Sequence, residues 1–196
     1  MAKRYQIGAV VLAAGLSKRA GPENKLLNLI NGKVMVQQVV ENIVSTGITP
    51  IIVVTGHQAG EVQNALKALP VEFTHNPGFA DGMGSSIAQG VSALPDDVDG
   101  VLICLGDMPH IKAETFNCLL NAIDPDIGRE ICVPVLDGRR GNPVLFGRSH
   151  FHLLREIEGD QGAKKVTLSQ AANVVEVSVE DNGIFIDYDT NPQSAE

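Results

Sequence analysis

The 196 residues carry a net charge of −8, with 44% apolar and 19% charged side chains. That composition excludes a disordered chain and a protein drawn to nucleic acid or anionic lipid by bulk charge. Six Phe, two Tyr and no Trp leave too few rings for a stacking platform on single-stranded nucleic acid.

Taken in chain order, apolar runs rich in β-formers alternate with helix-length segments. Residues 9–12 (AVVL) predict a buried strand, and the glycine-containing stretch 15–21 a loop. Val36, Val39, Val40, Ile43 and Val44 recur at helical spacing and predict a helix over 34–44, stopped by Gly47. A strand follows at 51–54 (IIVV), then a loop at Gly56, a helix near 61–68 and a short strand at 71–74. Residues 85–94 predict a helix whose start carries two capping hydroxyls, Ser85 and Ser86. Next come a central strand at 101–105 (VLICL), a helix at 113–123, strands at 131–135 and 143–146, helices over 150–157 and 162–172, and strands at 174–177 and 183–186.

Continuous apolar strands separated by helices predict a sheet covered on both faces: a doubly wound, three-layer α/β/α arrangement, mixed but mostly parallel. No repeat or linker interrupts it, so residues 1–196 are expected to form one domain. Ligands of such sheets sit beyond the carboxyl ends of the strands, where the strand order switches.

Charge is concentrated where this rule would use it. Residues 1–33 hold Lys3, Arg4, Lys18, Arg19, Lys25 and Lys33 against Glu23 alone. The island suits a small polyanion such as a triphosphate; a solvated basic N-terminus explains it equally well. Cys104, Cys118 and Cys132 stand fourteen residues apart without a CxxC pair, which favours reduced thiols over disulfides or a zinc site. No apolar stretch reaches 18 residues, so a cytoplasmic protein without a membrane span is expected.

The first strand ends in Leu12-Ala13-Ala14-Gly15-Leu16-Ser17-Lys18-Arg19-Ala20-Gly21, followed by Asn24-Lys25. Small residues let a ligand approach the backbone, and exposed N–H groups in such a turn cradle phosphate oxygens. Arg19 offers a planar fork and Lys25 a mobile point charge. Neither the Walker A loop nor the dinucleotide fingerprint is present. Further on, Gly82-Met83-Gly84-Ser85-Ser86 opens a helix and forms a polar niche suited to a base edge or ribose, or an ordinary N-cap. Asp107, in Leu105-Gly106-Asp107-Met108-Pro109, ends the central strand as a hard oxygen donor for Mg²⁺, or as a turn aspartate. His150 and His152 form a lone HxH, read as surface helix rather than a metal site, and His57 fits no catalytic arrangement.

These segments carry a family resemblance. LAAGLSKRAGPENK resembles the LAAGxSxRxGxxK signature of nucleotidyltransferases that activate sugars, polyols and pterins, with Ala20 where Met or Phe is usual and one extra residue before Lys25. HNPGFADGMGSSIAQGV, GDMP, GRRGNPV and GDQGA resemble segments of the molybdenum cofactor cytidylyltransferase group in the same order. The resemblance implies a Rossmann-like, nucleotide-diphospho-sugar-transferase-like fold and transfer of CMP from CTP to a molybdopterin-type phosphorylated pterin, with Mg²⁺ as cofactor and pyrophosphate as product. It further implies that Arg19, Lys25 and Asp107 are catalytic, and that Leu12, Ala13, Ala14, Gly15, Ser17, Gly82, Met83, Ser85 and Ser86 join Arg19 and Lys25 around the nucleotide. Arg140, Gly141, Asn142 and Pro143 would border the acceptor, with Asn142 in place of the group's His. Asp160 would cap a helix. The second metal carboxylate is expected in Ile186-Asp187-Tyr188-Asp189-Thr190, first Asp189 and then Asp187. A target molybdoenzyme is an expected partner. A GTP-using guanylyltransferase, a sugar- or polyol-phosphate nucleotidyltransferase, and a non-catalytic pterin carrier are the alternatives.

Overall fold

Strand β1, Ile7–Ala13, alternates its side chains between two apolar layers. Ala9, Val11 and Ala13 face one cluster and Val10 and Ala14 the other, as the two-residue period of a strand requires. The same division runs through β4 (Ile51–Thr55) and β6 (Gly100–Leu105): Ile51, Val53, Leu102 and Cys104 face the first layer, Ile52, Val54, Val101 and Ile103 the second. A sheet apolar on both faces needs helices on both. Helices α1 (Met35–Val44), α2 (Ala59–Leu66) and α4 (Ala113–Ala122) cover the first; α3 (Met83–Ser92), α5 (Phe151–Arg155) and α6 (Lys164–Ser169) cover the second. The computed structural model describes residues 5–16, 24–160 and 162–188.

The remaining strands are β2 (Leu29–Ile30), β3 (Lys33–Val34), β5 (Glu72–His75), β7 (Ile131–Leu136), β8 (Arg139–Arg140), β9 (Val144–Gly147) and β10 (Val174–Ser178). The large sheet runs β10-β7-β9-β6-β1-β4-β5, with β8 paired to β7. Pairing is parallel from β6 through β1 and β4 to β5, and again between β10 and β7. Only β9, against β6 and β7, and the short β8 run antiparallel. This is the expected mixed, mostly parallel, doubly wound α/β/α fold. From β1 the chain steps outward to β4 and β5, then returns to lay β6 on the other side of β1. The order therefore reverses between β1 and β6, and their carboxyl ends open the crevice where ligands of such sheets bind.

The structure corrects several local expectations. Residues 183–186 are not a strand: Asn182–Phe185 forms a 3-10 turn, and the Asp181 side chain accepts a hydrogen bond from the Gly183 N–H at 2.9 Å. Local turn chemistry at Asp181-Asn182-Gly183 outweighs the short apolar run that follows. Helix α3 begins at Met83, after Gly82 at φ 113°, and neither serine caps it. Ser85 instead donates its hydroxyl hydrogen to the Gly82 and Gly78 carbonyls. Helix α6 is only Lys164–Ser169, with Ala163 rather than Asp160 before it. His150 is buried, not on a surface helix. Two small hairpins also appear, β2–β3 across Asn31-Gly32 and β7–β8 across Asp137-Gly138, with positive φ at all four turn residues.

Candidate active site

At the switch between β1 and β6 lies a cavity of about 540 Å³. Its floor is the end of β1 and the residues that follow, Leu12, Ala14, Gly15 and Leu16, beside Leu105 and Asp107 from β6. The two strand ends meet closely. The Gly106 N–H donates to the Leu12 carbonyl at 3.0 Å, and a Cβ on Gly106 would lie 2.8 Å from that same oxygen. Glycine at 106 is thus a condition for bringing Asp107 against the first loop.

Lys25 opens a 3-10 turn, Lys25–Leu27, and its Nζ lies 2.7 Å from Oδ2 of Asp107. The lysine is held from its neighbour. Buried Asn24 accepts from the Leu26 N–H through Oδ1 at 3.1 Å and donates through Nδ2 to the His57 carbonyl at 3.4 Å. Asp187 reaches the same cavity from the other end of the chain. Its segment is pinned by the Tyr188 N–H donating to the Asp107 carbonyl at 3.2 Å and by the His110 Nε2 to Tyr188 hydroxyl contact of 2.6 Å. Further back, the buried Asp181 carboxylate accepts from the Lys112 N–H and the Thr115 hydroxyl at 2.8 and 2.6 Å, tying the turn before Asp187 to the start of α4.

The opposite wall is Phe79, Ala80, Gly82, Met83 and Ser86, closed by Asp160. Gly82 at φ 113° has no room for a side chain, because a Cβ there would lie 2.6 Å from Oδ1 of Asp160. Asp160 is therefore a wall residue, not the helix cap expected from the sequence. Of the residues expected around a nucleotide, Leu12, Ala14, Gly15, Lys25, Gly82, Met83 and Ser86 line this cavity. Ala13 is buried on the far face of β1, and Ser85 is turned to the backbone of 78–82. Ser17, Arg19 and Asp189 lie outside the described residues.

A second cavity of about 360 Å³ adjoins the first and shares Met83, Leu105 and Asp160 with it. Arg140, Gly141 and Asn142 line it, together with Lys164 and Thr167 of α6; Pro143, just before β9, is not on its wall. The Arg140 Nε lies 2.8 Å from the Glu176 Oε1, an exposed pair of the kind that contributes little to stability and is readily exchanged. The expectation missed Asp160, Phe79 and α6 as wall residues, although GDQGA had marked the segment around Asp160.

No group of three or more His, Cys, Asp or Glu side chains gathers as a metal cage among the described residues. Three carboxylates line the cavity instead: Asp107 and Asp187, with Lys25 beside Asp107, and Asp160 against Gly82.

Comparison with known proteins decides the family. The sequence profile of the MobA-like NTP transferase domain matches residues 9–174. The chain belongs to that NTP transferase family. Among curated relatives, the bifunctional protein GlmU of Chromohalobacter salexigens is 35% identical over 154 residues, 78% of this chain and 31% of that protein. The chain thus spans about a third of the length of the curated relatives it matches. Among solved structures, Rv0371c from Mycobacterium tuberculosis superposes with a TM-score of 0.83 at 26% identity, covering 96% of this chain and 95% of that one. A nucleotidyl transferase from Methanothermobacter (Mth528) gives 0.81 at 26% identity, covering 94% and 92%. No helix among the described residues of this family member is long and apolar enough to cross a membrane.

Proposed function

We propose that residues 1–196 act as one cytoplasmic catalytic domain that transfers CMP from CTP to a phosphorylated, molybdopterin-type pterin and releases pyrophosphate. The observation that carries this reading is the convergence of Lys25 and Asp107, 2.7 Å apart, on a cavity at the strand-order switch. The adjoining second cavity gives a place for the acceptor, with Arg140 and Lys164 as cations for its phosphate. Ala13 and Ala14 in the first loop follow the CTP-using form of the group that the sequence resembles.

An acceptor phosphate is already ionised near neutral pH, so the reaction needs no strong general base. One acceptor oxygen forms a bond to the α-phosphorus while the bond to the pyrophosphate oxygen breaks. The protein's part is to hold the two reactants in line and to offset charge as it develops on the departing group. The Lys25 ammonium meets that charge, joined by Arg19 of the first loop. Gly15, exposed and without a side chain, offers its backbone to phosphate oxygens, and the wall of Phe79, Met83 and Ser86 is left for the nucleoside.

Asp107 and Asp187 are hard oxygen donors lining one cavity, and one or two protein carboxylates completed by phosphate oxygens and water suit Mg²⁺. The residues fit that ion, with Asp189 as the alternative second donor. When bound, Mg²⁺ supplies charge neutralisation to the polyphosphate.

Pyrophosphate release tests the reading, measured with CTP and with GTP, with and without molybdopterin, and with EDTA. Release that requires CTP, molybdopterin and a divalent cation together is the expected result. Release with GTP alone moves the protein to the guanylyl reading, and release only with a sugar or polyol phosphate moves the acceptor. No release in any combination overturns catalysis in favour of a pterin carrier.

A further inference from the structure

Ser86 of the cavity wall is held by a polar hub centred on Asn76, a residue to which the proposed chemistry gives no part. Asn76, in the turn after β5, is 4% exposed. Its backbone N–H donates to the Thr55 carbonyl at 2.8 Å, which ties it to the end of β4. Its side-chain Oδ1 accepts from the Gly78 N–H at 2.9 Å. Its Nδ2 donates to both serine hydroxyl oxygens of α3, at 2.9 Å to Ser85 and 3.0 Å to Ser86.

The orientation of this amide follows from its partners. Turned over, it would set an NH₂ against the Gly78 N–H, two donors with no acceptor between them. The Gly78 amide therefore forces the NH₂ group toward the serines, and each serine oxygen must accept there. Ser85 spends its own hydrogen on the Gly82 and Gly78 carbonyls at 2.9 and 3.0 Å. Ser86 does not: among the described residues its hydroxyl hydrogen has no acceptor, and the residue lines the cavity together with Met83 and Phe79.

We propose that Asn76 is a positioning residue that fixes the Ser86 hydroxyl as a hydrogen-bond donor into the nucleotide cavity, so that the site selects a nucleoside atom able to accept. The neighbours point to the nucleoside rather than the phosphates, because Phe79, Ala80 and Met83 are apolar and Phe79 packs with the second layer, while Lys25 adjoins Leu26 of the first. The inference rests on the reading of this cavity as the nucleotide site.

Asn76→Asp reverses the polarity. A carboxylate still accepts from Gly78 but takes the serine hydrogens as well, which turns the Ser86 donor away from the ligand. Binding of CTP with Mg²⁺ should weaken about tenfold in Asn76→Asp and to a similar extent in Ser86→Ala, the scale of one lost directed hydrogen bond. The informative comparison is the double variant. If Asn76 acts through Ser86, Asn76→Asp with Ser86→Ala binds within about twofold of Ser86→Ala alone, because the second change has nothing left to remove. The KM for CTP should rise while kcat changes less than about twofold; damage to the fold would lower kcat and the melting temperature together. Should the aspartate variant fail to fold, Asn76→Ala completes the same cycle without an added charge. Losses that multiply in the double variant, or Asn76 variants that bind CTP as the wild type does, overturn the role of Asn76 and leave the nucleotide site standing. A wild-type protein that binds neither CTP nor GTP removes both.

Discussion

Lys25 and Asp107, 82 residues apart in the chain, form an ion pair of 2.7 Å whose side chains are 15% and 17% exposed. Both face the cavity rather than the core, so neither is needed for packing. Lys25→Ala and Asp107→Ala should each lower the rate of pyrophosphate release by about 10²-fold, the usual effect of losing one preorganised charge. Urea unfolding midpoints should stay close to that of the wild type. Turnover within about threefold of wild type at saturating metal, in either variant, would remove the pair from the mechanism.

Gly90 packs α3 against the sheet, and a Cβ there would collide with side-chain atoms of Val10 and Val54. Two effects compete in Gly90→Ala. Alanine favours a helix by about 1 kcal/mol over glycine, whereas forcing a methyl into a filled core costs about 1–3 kcal/mol. The obstructing atoms belong to β-branched residues on central strands, stiff at χ1 and held by the ladder on both sides, so the clash should win. A net loss of stability is expected in denaturant titration; a more stable variant would mean that α3 can lift from the sheet.

The three thiols should separate cleanly. Cys118 is exposed on α4, while Cys104 and Cys132 are buried in β6 and β7. Burial drives the Cys104 thiol far above its ordinary pKa and pushes Cys132 up to about 11, so neither offers a thiolate near neutral pH. A colorimetric disulfide reagent should titrate one thiol per folded chain and three after denaturation, and Cys118→Ser should bring the folded count to none. A second fast-reacting thiol would contradict the packing of β6 or β7.

His150 gives the fold a pH dependence of definite sign. Burial lowers its pKa below the ordinary value, against the opposing pull of Glu130, whose Oε2 is 3.9 Å from Nδ1. The unfolded chain therefore takes up the proton more readily than the folded one. The contribution of the neutral ring is complete above a pH of about 6.5 and is lost as the pH falls through that value toward the lower folded pKa. Unfolding free energy should drop between about pH 7 and 5, with a shallower slope in His150→Gln. Equal slopes would assign the acid sensitivity to other groups.

How much of this was legible in the sequence depends on what each segment had to satisfy. The strands β1, β4 and β6 are continuous apolar runs, and their expected bounds differ from the observed ones by no more than two residues at either end. Burial on both faces leaves such runs no other place. Helix α1 was equally clear, because five apolar residues share one face. The two small hairpins were missed even though Asn31-Gly32 and Asp137-Gly138 are the dipeptides that two-residue turns prefer. Their strands are too short to show alternation, and only the turn chemistry could have revealed them. The last expected strand failed for the opposite reason: Ile184, Phe185 and Ile186 are apolar, but Asp181 had already committed the backbone to a turn. At the site, Lys25 and Asp107 follow strand ends that the topology must bring together. Asp160 could not be read that way, because its loop packs against α3 from far along the chain, and the Asn76 hub, only 9 and 10 residues before its serine partners, depends on how the intervening turn folds back.

Met83, Leu105 and Asp160 each face both hollows. A change at any of the three is felt twice, once by whatever occupies the larger space and once by its neighbour. With the nucleotide in one hollow and the acceptor in the other, as proposed, drift in the choice of one reactant is tethered to the choice of the other. Variants selected for a new nucleotide through these positions should arrive with altered tolerance for the second reactant, whereas changes confined to Lys164 or Thr167 can retune one side alone.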